Sequence, residues 1–455
     1  MFKKKSISSG YRDPDVLVGL DLGTSKITVV VAERDGPSGE AQIIGMGQAP
    51  SHGIRKGLIV HLDQAVRATR QAISDAENMV GVELSEATVS FSGADVMCVR
   101  TKGMISLGRY PRAVIQLDIS RVIEAAQAAV TVPANQTILH TIPVEYCLDG
   151  NSGIDDPLGM TGMRLDIDLE SIIVPTATVQ NVLNCVEKAG LDVRGFVIKP
   201  LASALGSLTP EESLSGAVSV DIGGGTSGVA VFADGRPKHL AVIPVGGDHI
   251  TNDVAAVLKI PINKAEEIKK EVNIYDTYAQ GDGELLEFDH MGRNYSYSVG
   301  ELTEIIQSRV EELFSILVRN ETANAGVSML PSGIVLTGGV ANSMGIDHYL
   351  SGVMDTPVRV SLPLDTHRMP PSRNGAEYSC AAGIIRYALE QERDPFRYLE
   401  PSMELVKLQR GRNTADFPPI KQPIDHTQGH PGKQENGTTR ISLVESIKGV
   451  IKELF

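Results

Sequence analysis

Cysteine is scarce in this chain. Its 455 residues hold four, Cys98, Cys147, Cys185 and Cys380, widely spaced and with no C-x-x-C pair. That usage fits buried thiols in a reducing compartment and argues against a disulfide framework. No apolar run approaches the ~18 residues that a membrane span requires. Lys3, Lys4 and Lys5 stand near the N-terminus without an apolar segment behind them, so no standard signal peptide is expected. Basic charge is in deficit: 42 Lys and Arg stand against 56 Asp and Glu, for a net charge of -14. Nonspecific nucleic-acid binding needs a basic surface and is excluded. No metal-ligand cluster appears, and His426 and His430 lie in a polar stretch where solvation is their expected state. Neither G-x-x-x-x-G-K-[ST] nor a correctly placed G-x-G-x-x-G occurs, so this is neither a Walker loop nor a dinucleotide fingerprint.

What is present is a globular composition, with 42% hydrophobic and 22% charged residues. At about 100–200 residues per domain, the length predicts two large domains or four small ones. The stretch around which the rest is organised is DIGGGTSGVAVF, residues 221–232. An apolar run leads into Asp221, Gly223, Gly224, Gly225, Thr226 and Ser227, and a second apolar run follows. Glycines let backbone N–H groups converge on a phosphate, and the hydroxyls add donors. An aspartate at the strand end supplies a hard oxygen for Mg²⁺, usually through its waters. An ordinary glycine hairpin has the same local pattern. However, residues 16–32, VLVGLDLGTSKITVVVA, repeat it with Asp21, Gly23, Thr24, Ser25 and Lys26. Two such hairpins, one in each half, describe a nucleotide clamped between two lobes.

Between and after the hairpins the chain alternates helical and strand periodicity. Val66, Ile73 and Val80 line one face of a helix over 62–80, and DISRVIEAAQAAV predicts another over 118–130. Residues 85–164 read as a small α+β unit inserted into the first lobe. KPLASALGSL (199–208) and GAEYSCAAGIIRYALE (375–390) are helices rich in small residues, suited to close packing at a hinge. NKAEEIKKEV sets Glu266 and Lys269 three apart on a helix, a spacing that usually means a solvated surface pair. GIVLTGGVANSMG predicts a buried strand, a turn at Gly338 and Gly339, and a helix start, open to a flat base and ribose. Residues 395–439 lack periodicity and read as a disordered linker. The last stretch, ISLVESIKGVIKELF, puts Leu443, Val444, Ile447, Val450, Ile451 and Leu454 on one helical face, with Phe455 at its end. An apolar stripe beyond a linker is a candidate in-plane membrane helix or a partner-binding helix.

The order of phosphate hairpin, connecting helix, second hairpin, Gly-Gly turn and second connecting helix resembles the actin-like ATPases. Within them, the insert containing HTIPVEYCLDG…DPLGMTGMRLD, the GDHITNDVAAVLKI and AEEIKKEV segments, and the terminal amphipathic helix are similar to the bacterial cell-division FtsA family. The resemblance implies an α/β, two-lobed actin-like fold. Its first lobe takes 1–84 and 165–198, the insert 85–164, the second lobe 199–374, the returning helix 375–394, the linker 395–439 and the membrane helix 440–455. It further implies ATP and Mg²⁺ in the cleft, with Asp21 and Asp221 near the metal. Gly23–Lys26 and Gly223–Thr226 would flank the phosphates, Glu266 and Lys269 the ribose and base, and Gly338 and Gly339 the adenosine. The implied partners are the tail peptide of the tubulin-like protein FtsZ, received near Arg309, further copies of the chain in a protofilament, anionic inner-membrane lipid and later division proteins. One position departs from the superfamily pattern: Lys199 stands where chaperone and bacterial-actin relatives place a water-positioning glutamate. An ammonium cannot act as that base, so weak or no hydrolysis is expected. The competing readings are a pilus-assembly relative, expected to lack the terminal helix, and a small-molecule kinase. A kinase needs a carboxylate base in the cleft, and Asp168 reads only as a strand residue.

Overall fold

The computed structural model describes residues 16–35, 40–93, 95–275, 285–290, 293–327, 330–364, 369 and 373–400. The expected membrane helix and the linker beyond residue 400 lie outside them.

In the first lobe, β1 (Val16–Leu22), β2 (Lys26–Asp35) and β3 (Glu40–Pro50) form an antiparallel meander. Val29, Val30 and Val31 of β2 are fully buried, and that β-branched run is what a strand covered on both faces requires. The helix α1 (Leu62–Val80) lays Ala65, Val66, Ala72, Ile73 and Ala76 onto the sheet, as its periodicity predicts. The sheet continues with β4 (Glu86–Phe91), parallel to β1.

The insert follows. Its long strands are β5 (Met97–Ser106), β6 (Gln136–Leu148) and β7 (Arg164–Pro175), with the helix α2 (Gln116–Ala128) packed across them. It has its own core, including Val122, Ile123, Tyr146, Leu165 and Ile167. The chain then returns through α3 (Thr176–Ala189) to β8 (Asp192–Ile198), which pairs parallel with β4. The expected insert boundaries, 85 and 164, therefore need correction. Glu86–Phe91 belongs to the first-lobe sheet, because its partners are β1 and β8. Arg164–Pro175 belongs to the insert, because it pairs along its length with β5 and β6.

The second lobe repeats the first. After the short helix α4 (Lys199–Leu205), β9 (Ala217–Ile222), β10 (Ser227–Ala233) and β11 (Arg236–Ile243) form another antiparallel meander. Two helices, α5 (Gly247–Leu258) and α6 (Ile262–Glu271), come next, and then α7 (Val299–Phe314). The sheet ends with β12 (Ile334–Thr337), parallel to β9, and β13 (Val358–Val360). The two five-stranded orders, β8-β4-β1-β2-β3 and β11-β10-β9-β12-β13, are the same arrangement of meander plus two parallel strands.

The chain closes with α8 (Ser379–Arg393), packed on α4 and β1. The small-residue stretch predicts that this helix begins at 375. In the structure one 3-10 turn, Ala376–Tyr378, precedes it. The Ala376 carbonyl accepts the Ser379 N–H across that turn and also the Thr337 hydroxyl at 2.7 Å. Among the described residues, no helix is long and apolar enough to cross a membrane.

Candidate functional site

Both meanders present their first turn to one cleft. Asp21 and Gly23–Lys26 line it from the first lobe, and Asp221, Gly223 and Gly224 from the second. The turns nearly touch: a Cβ on Gly225 would fall 2.7 Å from the Thr24 hydroxyl. Thr226 accepts from the Ser92 hydroxyl at 3.2 Å, a further link between lobes. The Gly223 and Gly224 carbonyls accept the Gly247 and Asp248 N–H groups, both at 2.8 Å. Those bonds fasten the start of α5 to the second turn.

The two aspartates are held alike. Asp21 and Asp221 are each 6% exposed. Ser90 on β4 donates to Asp21 at 2.7 Å, and Ser203 on α4 donates to Asp221 at 2.5 Å. Between the lobes, the Lys199 ammonium lies 3.1 Å from Asp21 Oδ1. Burial alone would lower the pKa of Lys199, but the charges of Asp21 and Asp221 outweigh burial and hold it well above the usual lysine value. Burial raises the pKa of Asp221, and Lys199 opposes that shift.

The remaining wall comes from Gly338, Gly339 and the turn before α8. Gly338 takes φ +87°, and a Cβ there would collide with the Asp221 carboxylate, so only glycine fits. Lys26 does not point free into the cleft. It pairs with Glu377 at 3.4 Å and lies over the Tyr378 ring at 3.6 Å. Asn342 donates to the same Glu377 at 2.7 Å. Glu266 and Lys269 stand one layer behind the cleft lining. They pair with each other, and Lys269 reaches Thr251 Oγ1 at 2.8 Å and the Gly247 carbonyl at 3.3 Å. Lys269 is 9% exposed, so this pair is not the solvated one that its spacing alone indicates.

Two other residues are already engaged. Arg309 spends its guanidinium on its own chain, on Asp253 at 2.6 and 3.1 Å and on Glu312. A peptide carboxylate would have to displace these partners. Asp168 sits in the insert sheet, paired with Lys102 at 3.0 Å. Sequence reading did not single out Ser90, Ser203, Glu377 or Asp248, which steady the site. Ser90 meets Asp21 across 69 residues of chain and Ser203 meets Asp221 across 18, and such pairings leave no periodic signal.

Two matched sheets whose facing turns close one cleft define the actin-like ATPase fold. Two solved structures share it: a PilM–PilN type IV pilus biogenesis complex (TM-score 0.59, 15% identity, 82% of this chain and 98% of that one) and MreB5 of Spiroplasma citri bound to AMPPNP (0.51, 14%, 84% and 98%). The family pattern described as "Cell division protein FtsA" matches residues 218–383, and "SHS2 domain inserted in FTSA" matches 93–173. Cell division protein FtsA of Pseudomonas aeruginosa is 34% identical over 86% of this chain and 92% of its own length. The Bacillus subtilis protein is 34% identical over 83% and 84%, and the Escherichia coli K12 protein 32% over 83% and 91%. The chain belongs to the FtsA family of cell-division proteins.

Proposed function

We propose that this chain is an ATP-binding division protein that tethers FtsZ to the cytoplasmic face of the inner membrane. It does so as a protofilament of its own copies and helps to recruit later division proteins. The observation that carries the nucleotide part is the cleft itself, where two glycine turns and two buried, serine-held aspartates converge from opposite lobes. ATP would lie with its phosphates between Gly23–Lys26 and Gly223–Thr226 and its adenosine at Gly338 and Gly339. The donor set fits a divalent cation held mainly through water. Among the described residues no group of three His, Cys, Asp or Glu converges to cage one, but Asp21 and Asp221 offer two fixed carboxylates. Mg²⁺ bound there would supply positive charge against the phosphates. Hydrolysis is weak in this account, because Lys199 is a cation at the place where a base is needed. The FtsZ tail would dock on the second lobe beside α7, trading its acidic groups against Asp253 and Glu312 for Arg309. Calorimetric titration of ATP into the full chain is the test. Asp21→Ala and Asp221→Ala should each weaken binding in Mg²⁺ by about two- to threefold, the share that a cation held through water contributes beside Lys199. Unchanged affinity in both variants would overturn the clamp.

A further inference from the structure

Lys199 carries a consequence beyond slow hydrolysis, and it rests on the nucleotide reading of the cleft. The residue sits at the start of α4, immediately after β8. Its backbone is fixed from behind, since the Ile198 N–H donates to the buried His140 Nε2 at 3.1 Å. The side chain is 15% exposed, and its ammonium lies 3.1 and 3.3 Å from the two oxygens of Asp21. The side facing away from Asp21 is open to the cleft beside the first phosphate turn, 3.9 Å from where a Gly23 Cβ would stand. Lys26, the other cation lining the cleft, is already engaged by Glu377. Lys199 therefore leaves one uncompensated aspartate charge at the phosphate end of the cleft, where two would otherwise face a polyanion.

We propose that Lys199 is a built-in counter-cation for the nucleotide's phosphates, so that binding tolerates removal of divalent metal. A fixed, largely buried ammonium supplies at short range part of the charge that a metal would bring, without that metal's release on chelation. A glutamate at the same place would add a third negative charge and make the metal obligatory.

The test is a fluorescence titration of the full chain with ribose-labelled ATP, once in Mg²⁺ and once in EDTA. The chain contains no tryptophan, so the label reads binding without a protein background. In the native chain, chelation should raise Kd by no more than about threefold. In Lys199→Ala the same change should cost about tenfold or more, while Lys199→Arg should behave like the native chain. Equal metal dependence in the native chain and Lys199→Ala overturns this proposal and leaves the nucleotide reading standing. If Lys199→Ala does not fold, a native Kd that rises more than tenfold in EDTA overturns it alone. No binding by the native chain in either buffer overturns the nucleotide reading, and this proposal with it.

Discussion

Gly338 and Gly339 stand side by side in the cleft wall, yet the backbone asks different things of them. Gly338 has φ +87° and its missing Cβ leaves room for the Asp221 carboxylate, whereas a Cβ on Gly339 would meet nothing within 4 Å. Gly338→Ala should thus destabilise the fold by about 1–3 kcal/mol, through left-handed strain and a displaced aspartate. Gly339→Ala should melt like the native chain and lose ATP affinity, since its methyl group would project where a base is expected to lie. Thermal unfolding by circular dichroism beside an ATP titration checks both, and equal melting temperatures for the two variants would contradict the account. This doublet was legible in the sequence, because a strand ending in Gly-Gly has few other uses. The partners that steady the neighbouring aspartates were not legible. Ser90 and Ser203 have no local pattern that marks them, and they matter only because the sheets bring them to Asp21 and Asp221. For Arg309, the Glu312 half of its pairing follows from helical spacing, while Asp253, 56 residues away, does not.

Two elements join the lobes with different chemistry. At the crossing of α4 and α8 the backbones themselves meet. A Cβ on Gly383 would lie on the Ala202 carbonyl, and one on Gly206 would lie 2.9 Å from the Gly383 nitrogen. Gly383→Ala should force the helices apart and cost about 1–3 kcal/mol or more, measured by chemical denaturation. An unchanged denaturation midpoint would show that the crossing is slack. The small-residue pattern of both helices is the sequence signal for this contact. The second junction gave no such sign. His239 on β11 lies 3.3 Å from Glu170 of the insert and 2.8 Å from Glu321 of the second lobe. Arg100 and Cys98 of the insert flank it, on Glu170 and on the Leu240 carbonyl, and Asn324 donates to Glu321. Burial alone would lower the His239 pKa, but the two carboxylates prevail and push it up to about 9. A pKa raised on folding stabilises fully below the unfolded value of about 6.5, and that share is lost as pH rises through 9. The native chain should therefore lose melting temperature between pH 7 and 9.5 more steeply than His239→Gln. Parallel profiles would remove the junction from the stability account. Long-range pairing explains the missed insert boundary as well. Glu86–Phe91 looks like any strand until β1 and β8 are seen beside it.

For the whole molecule, the proposed function requires that a nucleotide-holding body reach a membrane and a partner together. Residues 440–455 carry Arg440, Lys448 and Lys452 against Glu445 and Glu453, so lipid attraction at about 1 kcal/mol per basic residue is largely offset. On the helix expected from the sequence, the apolar stripe of Leu443, Val444, Ile447, Val450, Ile451 and Leu454 would be worth roughly 1.5–3 kcal/mol per fully buried side chain, less at an interface. Apolar area should then dominate attachment. Val444→Glu with Ile451→Glu should abolish vesicle flotation, and Lys448→Ala with Lys452→Ala should only weaken it. One such helix would bind marginally, so copies joined in the proposed protofilament would gain by avidity. The most direct measurement of the tether is flotation of a labelled FtsZ tail peptide with anionic vesicles, the full chain and ATP. The account predicts that the peptide rises with the lipid when the native chain is present and stays below with the Val444→Glu, Ile451→Glu chain. A native chain that floats while the peptide remains at the bottom would contradict it.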